Sequence, residues 1–176
     1  MPVLPAAAQD STPRVGLLEG IVVPAIDDVE RFLRDRGIEV REFVEATPNS
    51  EAAAKAVGCS VGEIAKSMLF IVGGTVPVVV VTSGDVRIKA SKLKQALGFT
   101  GKARLPEADE VIRYTGYAPG GVCPFLLPEG LRVLVDASMR RFPVVYAAAG
   151  NEHSAVPVTV DQLLEITGGV EVAVCE

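Results

Sequence analysis

The stretch SMLFIVGGTVPVVVVT, residues 67–82, decides the fold. Two runs rich in valine, isoleucine and phenylalanine, Ser67 to Val72 and Val76 to Thr82, flank Gly73-Gly74-Thr75. Branched and aromatic side chains suit a pleated surface, and glycine reaches the positive φ that tight hairpin turns need. The stretch therefore predicts a β-hairpin.

Upstream of the hairpin the spacing is helical. Ile26, Val29, Phe32 and Leu33 share one face of a helix that Asp27 and Asp28 favour at its start and Gly37 ends. Asn49 or Ser50 can cap a second helix, Glu51 to Val57, stopped by Gly58, and Ser60 with Glu63 has the capping-box spacing that opens a short third. Downstream, Ala90, Leu93, Ala96 and Leu97 mark a helix with Lys89 and Lys92 toward solvent, and Pro106 opens another that runs to about Tyr114. Leu131 to Asp136, Pro143 to Ala148, Ala155 to Val158 and Val170 to Val174 read as strands, with a helix from Val160 to Ile166 capped by Thr159. Strands and helices mix without a βαβ rhythm, so the fold class is α+β in a single domain. Residues 1–13 are expected to be a flexible N-terminal tail and residues 14–176 the domain.

Composition narrows the function. Of the residues, 49% are hydrophobic and 22% charged, as in ordinary globular proteins. The apolar run Val76 to Val81 holds Pro77 and is far shorter than the ~20 residues of a membrane span. Met1 to Thr12 lacks the basic and apolar regions of a secretory signal, so a cytoplasmic protein with no membrane partner is expected. Cys59, Cys123 and Cys175 form no C-x-x-C pair, and His153 is the single histidine, which leaves no paired-imidazole metal site. No metal and no cofactor are expected. A net charge of −5 argues against binding nucleic acid by overall charge, yet Arg87, Lys89, Lys92, Lys94, Lys102 and Arg104 lie in one stretch without an acidic residue.

Two motifs carry chemistry on paper. Gly58-Cys59-Ser60-Val61-Gly62 matches the G-x-S-x-G nucleophile elbow, but the elbow needs a strand before its serine, whereas Ala52 to Val57 is alanine-rich and helical. Ser60 is read as a cap. The segment Gly116-Tyr117-Ala118-Pro119-Gly120-Gly121-Val122-Cys123-Pro124-Phe125 packs three glycines and two prolines into ten residues. Glycines let backbone amides approach a ligand closely, so the segment is either a binding loop or a purely structural one.

Ile64-Ala65-Lys66-Ser67, the hairpin, Thr115 to Val122, Val135-Asp136 and Tyr146 to Gly150 follow one another in a familiar order and spacing. From about Ile26 to Val174 the chain resembles the YbaK and prolyl-tRNA synthetase editing-domain family. The resemblance implies a mixed, mostly antiparallel curved sheet flanked by helices. It also implies a freestanding factor, since nothing similar to synthetase catalytic or anticodon domains accompanies it. The activity implied is hydrolysis, without metal, of the ester that joins an amino acid to the 3′ end of mischarged tRNA. The partners implied are that tRNA and prolyl-tRNA synthetase, for a monomer or homodimer.

Residue by residue, the resemblance makes Lys66 the group that holds the terminal adenosine phosphate, as a cation suits a phosphodiester. Gly120 and Gly121 would present backbone donors to the ester carbonyl or the attacking water. Ser67, Gly116, Tyr117, Pro119, Asp136 and Gly150 would shape the substrate pocket, and Lys89, Lys92 and Lys94 would meet tRNA phosphates. His153 is similar in place to a histidine of the alanine-editing branch, and would shape the site or polarise water. The cysteine-editing branch reads more like G-K-R-G there, where this chain has Gly150-Asn151-Glu152-His153, which points to alanyl-tRNA for proline. The alternatives are a cysteinyl-tRNA deacylase and a non-catalytic tRNA-binding module. Cys123 beside the loop is a conceivable nucleophile that the resemblance does not support. Leu126 stands where the family commonly has glycine, so the exit of the loop is expected to differ.

Overall fold

The computed structural model describes residues 26–176, so the expected tail and the start of the domain at residue 14 lie outside the described residues. Helix α1 (Ile26–Arg34) buries Val29 and Leu33 and carries acids in its first turn and arginines in its last, which suits the helix dipole. After strand β1 (Arg41–Glu42), helix α2 (Ser50–Val57) is capped by Asn49, whose side chain accepts from the Ala52 amide. The helix expected after Ser60 is a single 3₁₀ turn, Val61–Glu63, because strand β2 already begins at Ile64.

Strands β2 (Ile64–Val72) and β3 (Val76–Ser83) form the expected hairpin, in antiparallel register from Ala65 opposite Ser83 to Val72 opposite Val76, with Gly73 and Gly74 both at positive φ. Then come α3 (Ala90–Leu97), β4 (Ala103–Arg104), α4 (Ala108–Thr115), β5 (Arg132–Asp136), a 3₁₀ turn (Ala137–Arg141), β6 (Val145–Ala147), β7 (Ser154–Val158), α5 (Val160–Thr167) and β8 (Val170–Val172). The sheet runs β1-β7-β6-β2-β3-β5-β8, with β4 also pairing β2. Pairs β2–β6, β3–β5 and β5–β8 are parallel and the others antiparallel, giving the expected mixed α+β sheet.

Side chains alternate across the sheet and so build two cores. Ala65, Leu69, Ile71, Val79 and Val81 face a core shared with Val29 and Leu33 of α1, Val111 of α4 and Leu163 of α5. Phe70, Val72, Val78, Val80 and Leu134 face the other side, closed by Leu93 of α3 and by Val174. Both faces being covered explains why the hairpin is apolar throughout. The two-residue strands β1 and β4 were not expected, because they exist only through distant partners.

Asp136, at the end of β5, is 2% exposed. One carboxylate oxygen accepts from the Ser138 amide at 2.9 Å and the other from the Val174 amide at 2.8 Å, tying the sheet to the chain's end. Asp136 therefore has a structural role here, and it does not line the cavity described below. Burial works to raise its pKa, but hydrogen bonds from Ser138 and Val174 outweigh that and hold the carboxyl below its ordinary value. A depressed pKa adds stability above the unfolded-state value that is lost as pH falls through the folded one. Asp136→Asn, which turns an amide donor toward amide donors, should cost about 1–3 kcal/mol at neutral pH. Urea unfolding should show that gap from wild type narrowing as the pH is lowered through the acid range.

Candidate functional site

Along its length β2 has β3 on one side. On the other it pairs with β6 at Ile64 and Ala65 and with β4 at Ile71 and Val72, so the edge from Lys66 to Phe70 has no strand partner among the described residues. A cavity of about 430 Å³ opens there, lined by Lys66 and Ser67 of β2, Asn49 and Ser50 at the start of α2, Gly84, Gly120, Tyr146, Asn151 and Ser154. Lys66 and Ser67 point to opposite faces of the strand, and both reach the cavity because it lies at the edge rather than over a face.

The ammonium of Lys66 donates to the Val86 carbonyl at 3.0 Å. That carbonyl sits on a rigid loop. Asp85 accepts two hydrogen bonds from the Arg141 guanidinium, at 2.6 and 3.1 Å, and the Ser83 amide donates to Ser138 Oγ at 3.4 Å. A Cβ on Gly84 would stand 2.5 Å from the Val61 carbonyl oxygen, so only glycine fits against that turn. The Arg141 hydrogen bond holds the Asp85 carboxyl below the usual range against a smaller desolvation effect, and nearby Lys66 adds to the lowering.

On the opposite wall, Ala118-Pro119-Gly120-Gly121 forms a turn closed by the Gly121 amide donating to the Ala118 carbonyl at 2.9 Å. Proline second and glycine third, with Gly120 at φ 86°, is the pattern of a type II turn. The two glycines therefore differ. Gly121 is buried and its amide is committed to the turn, whereas the Gly120 amide has no partner among the described residues and Gly120 lines the cavity.

Other expected site residues sit around the cavity rather than in it. Pro119 is the exposed apex of the turn, and Gly116 caps α4. Tyr117 is 1% exposed with its hydroxyl donating to the Phe125 carbonyl, so it is part of the core. Gly150 at φ 102° lies over that ring, where a Cβ would meet Tyr117 Cε1 at 3.0 Å. His153 is exposed and does not line the cavity; Asn151 and Ser154 do so instead, because the turn from Asn151 carries the imidazole outward. Of the basic residues on α3, Lys92 donates to the Cys175 carbonyl at 3.0 Å and Lys89 lies 3.7 Å from Glu176. Lys94 is half-buried on the same helix. Asn49, Ser50, Asn151 and Ser154 are site residues that sequence reasoning missed; Asn49 and Ser50 were visible only as a helix cap.

Neither alternative nucleophile survives. Ser60 caps its turn, with its amide and hydroxyl both donating to Glu63 Oε2. Cys123 is wholly buried, and burial pushes its thiol up to about 12. At positive φ, Leu126 is the one non-glycine residue so placed among the described residues, and it stands where the sequence marked a departure at the loop exit.

Fold and cavity together define an α+β domain whose candidate site sets an ammonium and a free backbone amide on the walls of one cleft. A profile of the aminoacyl-tRNA editing domain matches residues 44–166. The chain belongs to that family. It is similar to YwhH, an uncharacterised protein of Bacillus subtilis, with 38% identity over 76% of this chain and 83% of YwhH. EbsC of Enterococcus faecalis, a candidate Cys-tRNA(Pro)/Cys-tRNA(Cys) deacylase, is 23% identical over 69% of this chain and 73% of its own. Among solved structures, a candidate trans-editing enzyme for prolyl tRNA synthetase superposes with a TM-score of 0.78 at 31% identity, covering 87% of this chain and 98% of that one.

The burial of Cys123 generates a test. Cys123→Ala should keep its hydrolytic rate on aminoacyl-tRNA within about threefold of wild type, because a thiol held protonated cannot act as a nucleophile. A single-turnover assay reads the rate, and loss of all activity would restore the covalent mechanism.

Proposed function

We propose that this protein is an aminoacyl-tRNA deacylase whose substrate is tRNA for proline misacylated with alanine. The observation that carries the reading is the pairing of the Lys66 ammonium with the free Gly120 amide across one cleft. A phosphate of the terminal adenosine takes the Lys66 ammonium from the Val86 carbonyl, since a charged acceptor makes the stronger hydrogen bond. The Gly120 amide donates to the ester carbonyl oxygen and stabilises the oxyanion that forms as water attacks. Water forms the new bond to the carbonyl carbon, the bond to the ribose oxygen breaks, and a proton passes to that oxygen. Free amino acid and tRNA with its terminal hydroxyl leave.

Two considerations support the finer assignment. The cavity, about 430 Å³, has to hold the terminal ribose as well as the amino acid, and size is the proposed discriminator between alanine and the proline ring. Exclusion by size can exceed the ~1–3 kcal/mol that one methylene contributes through attraction. Ser60 is held by Glu63 and Cys123 is a buried, protonated thiol, so water is the proposed attacker, and an alanyl ester can then react. His153, exposed outside the cavity, is given no part in breaking the bond. Prolyl-tRNA synthetase is the proposed partner, by analogy with the structural relative named above, and the cytoplasm the proposed compartment.

A panel of alanyl-, cysteinyl- and prolyl-tRNA for proline tests the substrate. Alanyl-tRNA should be cleaved and prolyl-tRNA spared; rapid cleavage of cysteinyl-tRNA with alanyl-tRNA inert would replace the alanine assignment with the cysteine one. Lys66→Ala should lower kcat/KM on alanyl-tRNA by about 10- to 100-fold, the range of a lost hydrogen bond to a charged group, with an unchanged melting temperature. Lys89, Lys92 and Lys94 give a separate expectation. If they meet tRNA phosphates, replacing all three by alanine should flatten the dependence of log K on log salt by up to about three contacts' worth, with turnover of bound substrate nearly unchanged. Filter binding across a salt series reads that slope.

A further inference from the structure

The turn from Gly150 to Ser154 is pinned from two sides. The Glu152 carbonyl accepts from both the amide and the hydroxyl of Thr47, the latter at 2.7 Å, and the His153 carbonyl accepts from the Phe43 amide. Within the turn, the His153 amide donates to Asn151 Oδ1 at 2.9 Å and the Ala149 amide to Ser154 Oγ at 3.1 Å. The backbone of Glu152 is thereby fixed, and its side chain lies against Gly120. A Cβ built on Gly120 would stand 2.5 Å from Glu152 Oε1. Yet the carboxylate makes no hydrogen bond or ion pair among the described residues. A half-buried carboxylate with its acceptor capacity unused can take a donor from a ligand.

The cavity has two electrical ends. At one end Lys66 lies beside the first turn of α2, whose Ser50 packs on Gly84. Both the ammonium and the helix start favour an anion there. Gly120 lines another part of the cavity, and the Glu152 carboxylate, which does not itself line it, lies against that glycine. Of the remaining carboxylates nearby, Asp85 is held by Arg141, and Glu51 sits on that first turn of α2 with the cation. An aminoacyl-tRNA end has the same polarity. Its phosphate is anionic, and its α-ammonium lies next to the ester carbonyl, so a carbonyl oxygen on the Gly120 amide brings the ammonium to the side where Glu152 is.

We propose that Glu152 receives the α-ammonium of the esterified amino acid and makes the site selective for aminoacyl over other acyl esters. The assignment rests on the deacylase reading above and adds the group that recognises the substrate's α-ammonium. It also gives a reason for glycine at 120 beyond its positive φ, since any side chain there would displace the acceptor.

The test compares alanyl-tRNA with lactyl-tRNA, in which a hydroxyl replaces the ammonium, using wild type and Glu152→Gln. The variant keeps the side-chain volume, and its melting temperature checks the fold. Wild type should prefer the alanyl ester by about 10- to 100-fold in kcat/KM, and Glu152→Gln should lose most of that preference while cleaving lactyl-tRNA within about twofold of wild type. An equal fall on both esters would make Glu152 a mere support for the Gly120 turn, and an unchanged alanyl rate would leave it without a role; either result overturns the proposal. Wild type that cleaves neither ester defeats the alanyl deacylase reading itself, and the Glu152 assignment with it, before any variant is made.

Discussion

The structure depends on how β2 is paired. A strand of nine residues is matched along its whole length by β3, but its other edge is shared by two short strands at its ends. Had β6 continued past Ala65, the backbone from Lys66 onward would be closed and no cleft could open. An unpaired strand edge ordinarily invites another strand. Here the start of α2 and the segment from Tyr146 to Ala155 stand over it, so that the edge becomes the floor of a cavity. Its polar groups are left for water or a ligand.

Around that floor, rigidity is placed where geometry matters. Arg141 and Asp85 fix the loop whose carbonyl holds Lys66, and the turn at Pro119 and Gly120 is closed by its own hydrogen bond. The two partners of that first clamp hang from the same sheet, since Arg141 follows β5 and Asp85 follows β3. The cation at the site is thus a local exception in a chain of net charge −5. A polyanionic partner would be recognised at its end rather than drawn to the whole surface, because an acidic molecule repels it at long range and attracts it only within about a Debye length of exposed cations. The lysines of α3 fit that picture incompletely, as two of them already meet the chain's last residues.

Much of this was legible in the residues. The hairpin at residues 67–82, the caps at Asn49 and Thr159, and the helix at Ala90–Leu97 appear where short-range chemistry put them. Lys66 and Gly120 could be named because the order of motifs along the chain resembles a family. Tyr117 and His153 show where that route ends. Both lie within segments that help form the cleft, yet Tyr117 turns inward to the Phe125 carbonyl and His153 turns outward to solvent. The turn at Asn151 and the fold of the loop back to Phe125 make these choices, and neither conformation was legible in residue types alone.

By itself the sequence determined most of the elements, the apolar character of the hairpin, the single imidazole, and the stiffness of the glycine loop. Those properties follow from propensity, composition and the conformational freedom of glycine and proline, which act over a few residues. Only the tertiary structure decided that β6 stops pairing after Ala65, that Gly120 rather than Gly121 keeps a free amide, and that the Glu152 carboxylate comes to rest on that glycine. The first and last of these join residues tens of positions apart, and such a contact is selected by the packing of the whole sheet rather than by the residues that meet in it.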